Sequence, residues 1–227
     1  GATAVHTRRA LAIHEPPSGA RALDVGCGFG ETTLDLARRV GARGEAVGID
    51  PCGDFLDVAR ADARAAGLTN ASFRRGDAQT ASLSGFDRVF SAFGVMFFAQ
   101  PVAALRNLRA ALTPGGRMQL LVWNARADNP WLTLAVEACD RVLPPVPASA
   151  ATCGPGPFSM SDPGALSTML RAADLHRVEL HCLRQDVLVG ADVDRAIDFQ
   201  LELGPAGERM RVAGALGAAS EGRIRDA

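Results

Sequence analysis

Three glycines, Gly26, Gly28 and Gly30, fall within five positions directly behind the apolar run ALDV, and they open the helical pattern TTLDLARRV. A missing Cβ at such a place lets backbone approach a ligand, and a helix N-terminus favours a carboxylate or phosphate there. Two further acidic residues stand where strands should end. Asp50 closes EAVGID, twenty residues after Gly30, where a carboxylate can accept both hydroxyls of a ribose. Asp77 with Ala78 follows RRG, where a carboxylate can accept from an adenine amine while the next N–H donates to the ring. The pattern points to a nucleoside ligand. A dinucleotide fingerprint, GxGxxG, would need glycine at position 31, and Glu31 stands there instead.

The elements that must hold these residues alternate. Apolar, β-branched runs at 21–26, 45–50, 71–77, 86–93 and 117–123 predict strands, and 32–40, 55–67 and 101–112 predict helices between them. Such alternation gives a parallel sheet covered by helices on both faces, a doubly wound α/β fold. Thr113-Pro114-Gly115-Gly116 reads as the connection into the fifth strand. Beyond Trp123 prolines crowd around one helical stretch (131–143), so 124–163 reads as a lid insertion. A helix over 164–175, a long strand region over 176–189 and a final helical stretch follow.

Composition narrows the chemistry. All 24 basic residues are arginine, and there is no tyrosine. Without lysine, Schiff-base chemistry and a GxxxxGK phosphate loop are excluded. The five cysteines are scattered with no CxxC pair, which predicts apolar fillers in a reducing cytoplasm and neither metal site nor disulfide framework. A net charge of −1 and no evident basic stripe speak against a nucleic-acid partner, and no apolar run is long enough for a membrane span.

Taken in order, ALDVGCGFG, GIDPCGDFLDVARA, RRGDAQ, FDRVFSAFGVMFF and LTPGGRMQLLVW resemble the class I S-adenosylmethionine-dependent methyltransferases of the small-molecule type, related to those of ubiquinone biosynthesis. The resemblance spans roughly residues 20–200. It implies a Rossmann-like, mostly parallel sheet in a single domain over 1–227, with residues 1–20 as an N-terminal segment. It further implies S-adenosylmethionine as cofactor. Gly26, Gly28 and Gly30 would border its methionine part, and Asp24 would steer the amino group. Asp50 would hold the ribose, Phe55 would cover the adenine, and Asp77 with Ala78 would read the adenine edge. Ser91 and Phe93 would approach the methionine and the methyl. His6 and His14 precede the first strand, on a segment that closes over the cofactor in such enzymes. No general base is assigned.

The methyl acceptor is expected at Trp123, Asn129, Trp131 and Phe158, a mixture of aromatic and short polar groups leaving the fifth strand at the sheet's carboxyl edge. Two other readings stay open from sequence. A nicotinamide oxidoreductase is opposed by the glycine spacing and by the missing Tyr and Lys. An inactive, methyltransferase-like binding module is opposed by the intact Asp50 and Asp77. Because this family begins with a helical segment and ends its sheet with an antiparallel strand, residues are expected to be missing at both ends.

Overall fold

Five strands form one parallel sheet in the order β3-β2-β1-β4-β5: β1 (Arg21–Val25), β2 (Glu45–Asp50), β3 (Ala71–Arg75), β4 (Phe86–Ala92) and β5 (Leu112–Leu121). This computed structural model describes residues 3–145, 156–202 and 204–226; Pro147, Cys153 and Pro155, with the first half of CGPGPF, lie outside the described residues. The chain divides into two compact units, the first of residues 3–123 and 156–184, the second of 124–145 and 185–226 as far as each is described.

In the first unit the strand side chains alternate between two cores, as the period of two requires. Leu23, Val25 and Ile49 join Leu105 and Leu108 of α4 (Pro101–Ala110) and Leu166 and Leu170 of α6 (Pro163–Ala172). Ala22, Ala46 and Phe90 join Leu36, Ala37 and Val40 of α2 (Glu31–Val40) and Leu11 of α1 (Ala4–Ile13). Helices therefore cover both faces, as the alternating pattern predicts. α2 also has Glu31 in its first turn and Arg38 and Arg39 in its last, each sign matched to the helix dipole. α3 (Gly53–Ala65) packs along β2 and β3 through Leu56, Ala59 and Ala63.

Two expectations need correction. The TPGG stretch lies inside β5, not before it. Phe86 pairs with Leu112 and Arg88 with Arg117, so the extra residues of β5 bulge out where Pro114 has no N–H and Gly115 sits at φ 82°. Residues 176–189 form no strand: the alternation of half-buried Leu183, Gln185, Val187 and Val189 with exposed neighbours is present, but no ladder. Asp174 and Arg177, both at positive φ (58° and 57°), turn the chain away from extended geometry as it enters this stretch.

In the second unit α5 (Pro130–Val142) packs with α7 (Val193–Glu202), α8 (Pro205–Ala213) and α10 (Glu221–Arg225). Its small core of Cys139, Leu143, Ala206 and Ile224 is flanked by Arg209, 7% exposed, whose Nε donates to Asp140 at 2.7 Å.

Asn70 fastens the end of α2. Its Nδ2 donates to the Ala37 and Gly41 carbonyls at 2.9 and 3.0 Å, adding to the Gly41 N–H bond on Ala37 and pinning the helix end. Asn70→Ala should lower unfolding stability by about 1–2 kcal/mol in urea, and Asn70→Asp, which replaces the donor with an acceptor, by at least as much.

Candidate functional site

The site grows from the fork between β1 and β4. The two strands pair only over Ala22–Asp24 with Arg88–Phe90, so the Val25 carbonyl has lost its neighbour in the ladder. Ser91, fully buried, donates its hydroxyl to that carbonyl at 2.8 Å. Beyond it two backbones meet. A Cβ on Gly94 would lie 2.8 Å from the Val25 oxygen and 3.1 Å from the Gly26 Cα. In doubly wound sheets this switch of direction opens the ligand crevice.

The three glycines of the first loop have different duties. Gly30, at φ 84°, would set a Cβ 2.7 Å from Ala59 and 2.9 Å from Phe73, and Gly26 is pressed against Gly94; both are required by packing within the protein. Gly28, at φ 52°, would place its Cβ in open space. Of the three, Gly28 is the one whose bare backbone faces a vacant approach.

Two carboxylates stand behind this loop. Asp24 is 1% exposed and accepts from Thr33 Oγ1 at 2.7 Å. Burial pushes its pKa up to about 7, and the charge of Asp50 adds to the rise, against the opposing Thr33 hydrogen bond. Asp50 accepts from the Gly28 N–H at 3.0 Å and from the Cys52 N–H at 2.9 Å, one on each oxygen. An ionised carboxylate has about four acceptor directions, so two remain for further donors. Between them Cys27 is buried, and burial together with the neighbouring Asp24 and Asp50 pushes its thiol pKa up.

The remaining expected residues surround the same edge. Phe55 is 39% exposed and leans on Phe29, itself 52% exposed, with ring centroids 4.4 Å apart. Asp77 is exposed and accepts from the Gln79 backbone and side chain at 2.9 and 3.1 Å. Ala78 is buried, and its carbonyl accepts from Asn107 Nδ2 at 2.9 Å. Phe93 holds a left-handed backbone (φ 60°), donates its N–H to Leu121 at 2.8 Å and stacks on Trp123 at 4.1 Å. A non-glycine residue in that region is strained by roughly 1–2 kcal/mol, and such strain clusters at functional sites.

A cavity of about 240 Å³ opens beside Asp24, lined by Thr3 at the start of α1 and Thr7 within it together with Phe29, Glu31 and Phe93 among others. Its charged lining residues, Asp24 and Glu31, are both acidic. The volume suits part of a nucleoside-amino-acid ligand, leaving the rest to the Asp50, Phe55 and Asp77 rim. The residue set fits S-adenosylmethionine: a buried carboxylate for an ammonium, an open glycine, an acid with acceptor directions to spare and an exposed aromatic pair.

The acceptor residues divide between the units. Trp123 and Phe158 belong to the first; Asn129 and Trp131 belong to the second. Asn129 is buried and its Nδ2 donates to Asn124 and Ala125 carbonyls at 3.2 and 2.9 Å, closing the turn that starts α5. Trp131 neighbours Phe199, with ring centroids 6.4 Å apart. Residues not singled out from sequence also contribute. Phe29 stands between two loop glycines and Thr33 is in the first turn of α2, both positions from which the loop is in reach.

Away from this edge, His14 and His181 each point Nε2 at Glu179, at 3.8 and 3.6 Å. Arg117 Nη1 lies 3.4 Å from His14 Nδ1. His14, Glu179 and His181 bring their ligand atoms within 4.8 Å of one another. The described cysteines are free, and Cys182 is exposed, which corrects its reading as an apolar filler. No described helix is long and apolar enough to cross a membrane.

A parallel sheet with an acidic crevice at its β1/β4 switch defines a doubly wound α/β protein. Residues 22–116 match the methyltransferase domain family. Nocamycin O-methyltransferase of Saccharothrix syringae is 31% identical over 227 residues, covering 92% of this chain and 80% of that protein. Aklanonic acid methyltransferase of Streptomyces sp. strain C5 is 37% identical over 113 residues; the match covers 49% of this chain and about half, 51%, of that protein. Among solved structures, BH2331 of Bacillus halodurans C-125 superposes with a TM-score of 0.62 at 19% identity, covering 91% of this chain and 81% of that one, which speaks to the fold. The chain belongs to the S-adenosylmethionine-dependent methyltransferases.

The raised pKa of Asp24 has a signature in stability. From its usual value of 3.8 up to about 7 the folded chain keeps a proton that the unfolded chain has released. Asp24 therefore subtracts stability progressively as pH rises through that window, and no further above it. Asp24→Asn should remove this slope, gaining on the wild type by about 1–3 kcal/mol between roughly pH 5 and pH 8. Urea unfolding of both proteins across that range measures it.

Proposed function

We propose that this chain binds S-adenosylmethionine at the carboxyl edge of its first unit and transfers the methyl group to an oxygen of a small-molecule acceptor. The observation that carries the reading is Asp24. A carboxylate 1% exposed, beside a second acid and hydrogen-bonded by Thr33, is arranged for a cation that enters the cavity. Asp24 would take the methionine ammonium, and the Gly26–Gly30 backbone would border the methionine. Asp50, already fixed by two N–H groups, would accept the ribose hydroxyls. Phe55 with Phe29 would cover the adenine, whose edge Asp77 and Ala78 would read.

When bound, the cofactor supplies a methyl group on a positively charged sulfur. The protein's part is alignment and exclusion of water, and alignment alone can lower a barrier by several kcal/mol, up to about 7–11. Ser91 holds the fork, and Phe93 is set by it at the methyl end. Trp123, stacked on Phe93, begins the acceptor side, with Phe158 also from the first unit. Asn129 and Trp131 remain proposed acceptor residues, and residues 1–227 are proposed as one methyltransferase domain.

Oxygen as the methylated atom is supported by the name of the relative with 80% coverage, an O-methyltransferase. Free cysteines fit a reducing setting, and we place the protein in the cytoplasm.

Calorimetry should detect binding of S-adenosylmethionine and S-adenosylhomocysteine to the wild type. Asp50→Ala strands two hydroxyls and should weaken both by about 1–3 kcal/mol, or roughly 5- to 150-fold. Unchanged affinity in that variant would rule out the ribose role. Trp123→Ala should lower turnover of hydroxyl-bearing small-molecule acceptors while leaving cofactor affinity within about threefold; the reverse pattern would move Trp123 to the cofactor side.

A further inference from the structure

One buried polar group of the first unit has not been used. His6 is 6% exposed, and its Nδ1 has no hydrogen-bond partner among the described residues. Buried polar atoms are almost always paired, so an orphan in a well-packed place calls for a reason. Its position supplies one. On α1 it stands between Thr3 and Thr7, both of which line the cavity. Its ring meets Trp123 edge-on at 5.7 Å and Phe93 edge-on at 6.4 Å. Those two rings stack on each other, and Phe93 lines the cavity. The imidazole thus touches both the residue set at the methyl end and the one that begins the acceptor side.

We infer that His6 is the general base of this chain's methyl transfer, taking the proton of an acceptor hydroxyl held against the Phe93–Trp123 pair. The inference rests on the methyltransferase reading above and adds a role to a residue which that reading leaves idle. The acceptor O–H bond breaks and its proton passes to the lone pair of the imidazole. The oxygen's electron pair forms the new bond to the methyl carbon as the carbon–sulfur bond breaks, its pair staying on sulfur. Charge balances: a sulfonium and a neutral imidazole become a neutral thioether and an imidazolium.

The surroundings keep His6 in the form a base needs. Burial first, and the positive charge of Arg9 on the same helix second, lower its pKa from the usual 6.5. From beyond the ends of β4 and β5 the uncharged rings of Phe93 and Trp123 meet it. From β1 and α2, Asp24 and Glu31 line the adjoining cavity, where their negative charge would favour the imidazolium once formed. The resting ring is neutral at neutral pH and carries one lone pair.

The test uses 4-nitrophenol, whose anion absorbs visibly, on the full chain saturated with S-adenosylhomocysteine. Bound to the wild type it should ionise at a pH below that needed in water, and His6→Gln should bind it in its neutral form. With S-adenosylmethionine, formation of 4-nitroanisole by H6Q should fall by about 10²-fold or more. Calorimetry of S-adenosylhomocysteine should give the same affinity for both proteins. The inference is overturned if nitrophenol does not bind the wild type or stays neutral there, or if H6Q keeps the full rate. Should H6Q fail to fold by near-ultraviolet circular dichroism, the wild-type ionisation decides alone. Absence of S-adenosylhomocysteine binding to the wild type would instead sink the methyltransferase reading, and His6's role with it.

Discussion

The first unit depends on how one backbone carbonyl is satisfied. Where β1 and β4 part, the Val25 oxygen leaves the ladder, and the Ser91 hydroxyl takes over at 2.8 Å. A buried carbonyl without a partner is strongly disfavoured, so this bond lets the strands diverge without leaving a defect. The divergence is closed from outside by Gly26 against Gly94, a contact in which either Cβ would intrude on backbone. Everything at the carboxyl edge follows from that geometry. The glycine loop turns into α2, and Phe93, one residue past β4, is thrown into a left-handed conformation that lays its ring on Trp123.

Against that frame the electrostatics oppose folding. Asp24, Asp50 and Cys27 are packed together with little water, and both Asp24 and Cys27 have pKa values raised by burial and by mutual repulsion. The local compensation is made of neutral donors: Thr33 Oγ1 for Asp24, and the N–H groups of Gly28 and Cys52 for Asp50. Among the described residues no arginine lines this cavity, although arginine is plentiful in the chain. A sequence selected for stability alone would not gather acids there, and departures of this kind concentrate where function requires them.

Much of this was legible before any coordinates. Parallel strands buried on both faces read as short apolar runs, and the glycines and acids at their ends read as a ligand edge because strand ends in such sheets converge. The rest failed for physical reasons that can be named. TPGG has the composition of a connection, but its bulge is held within β5 by pairing on either side, at Leu112 and Arg117. Residues 176–189 alternate as a strand should, yet alternation reports half-burial and says nothing about whether a ladder partner is present. Phe29 and Thr33 were hidden because their importance comes from what lies opposite: Phe55 and a buried Asp24. His6 was legible as an isolated histidine ahead of the first strand, on a segment that closes over the cofactor in the resembled family, but its neighbours were not, since the aromatic pair it meets comes from β4's end and β5's end, far along the chain.

The charges around the cavity bear on turnover as well as binding. Its acidic lining of Asp24 and Glu31 favours a ligand carrying positive charge, and the aromatic rings of Phe29 and Phe93 tolerate such charge without hydrating it. On the proposed reading, the positive sulfur is consumed in the reaction while the ammonium persists. The same lining therefore holds the cofactor more strongly than the spent product, by whatever share of the attraction belongs to the sulfur. In a low-dielectric cavity that share is larger than in water. The site thus carries within its own charges a bias for charged cofactor over neutral product, which promotes exchange after each transfer. On that reading Asp24, hydrogen-bonded by Thr33, would set the part of the affinity that does not change, and Asp50 and the aromatic pair would hold the nucleoside, which is the same before and after.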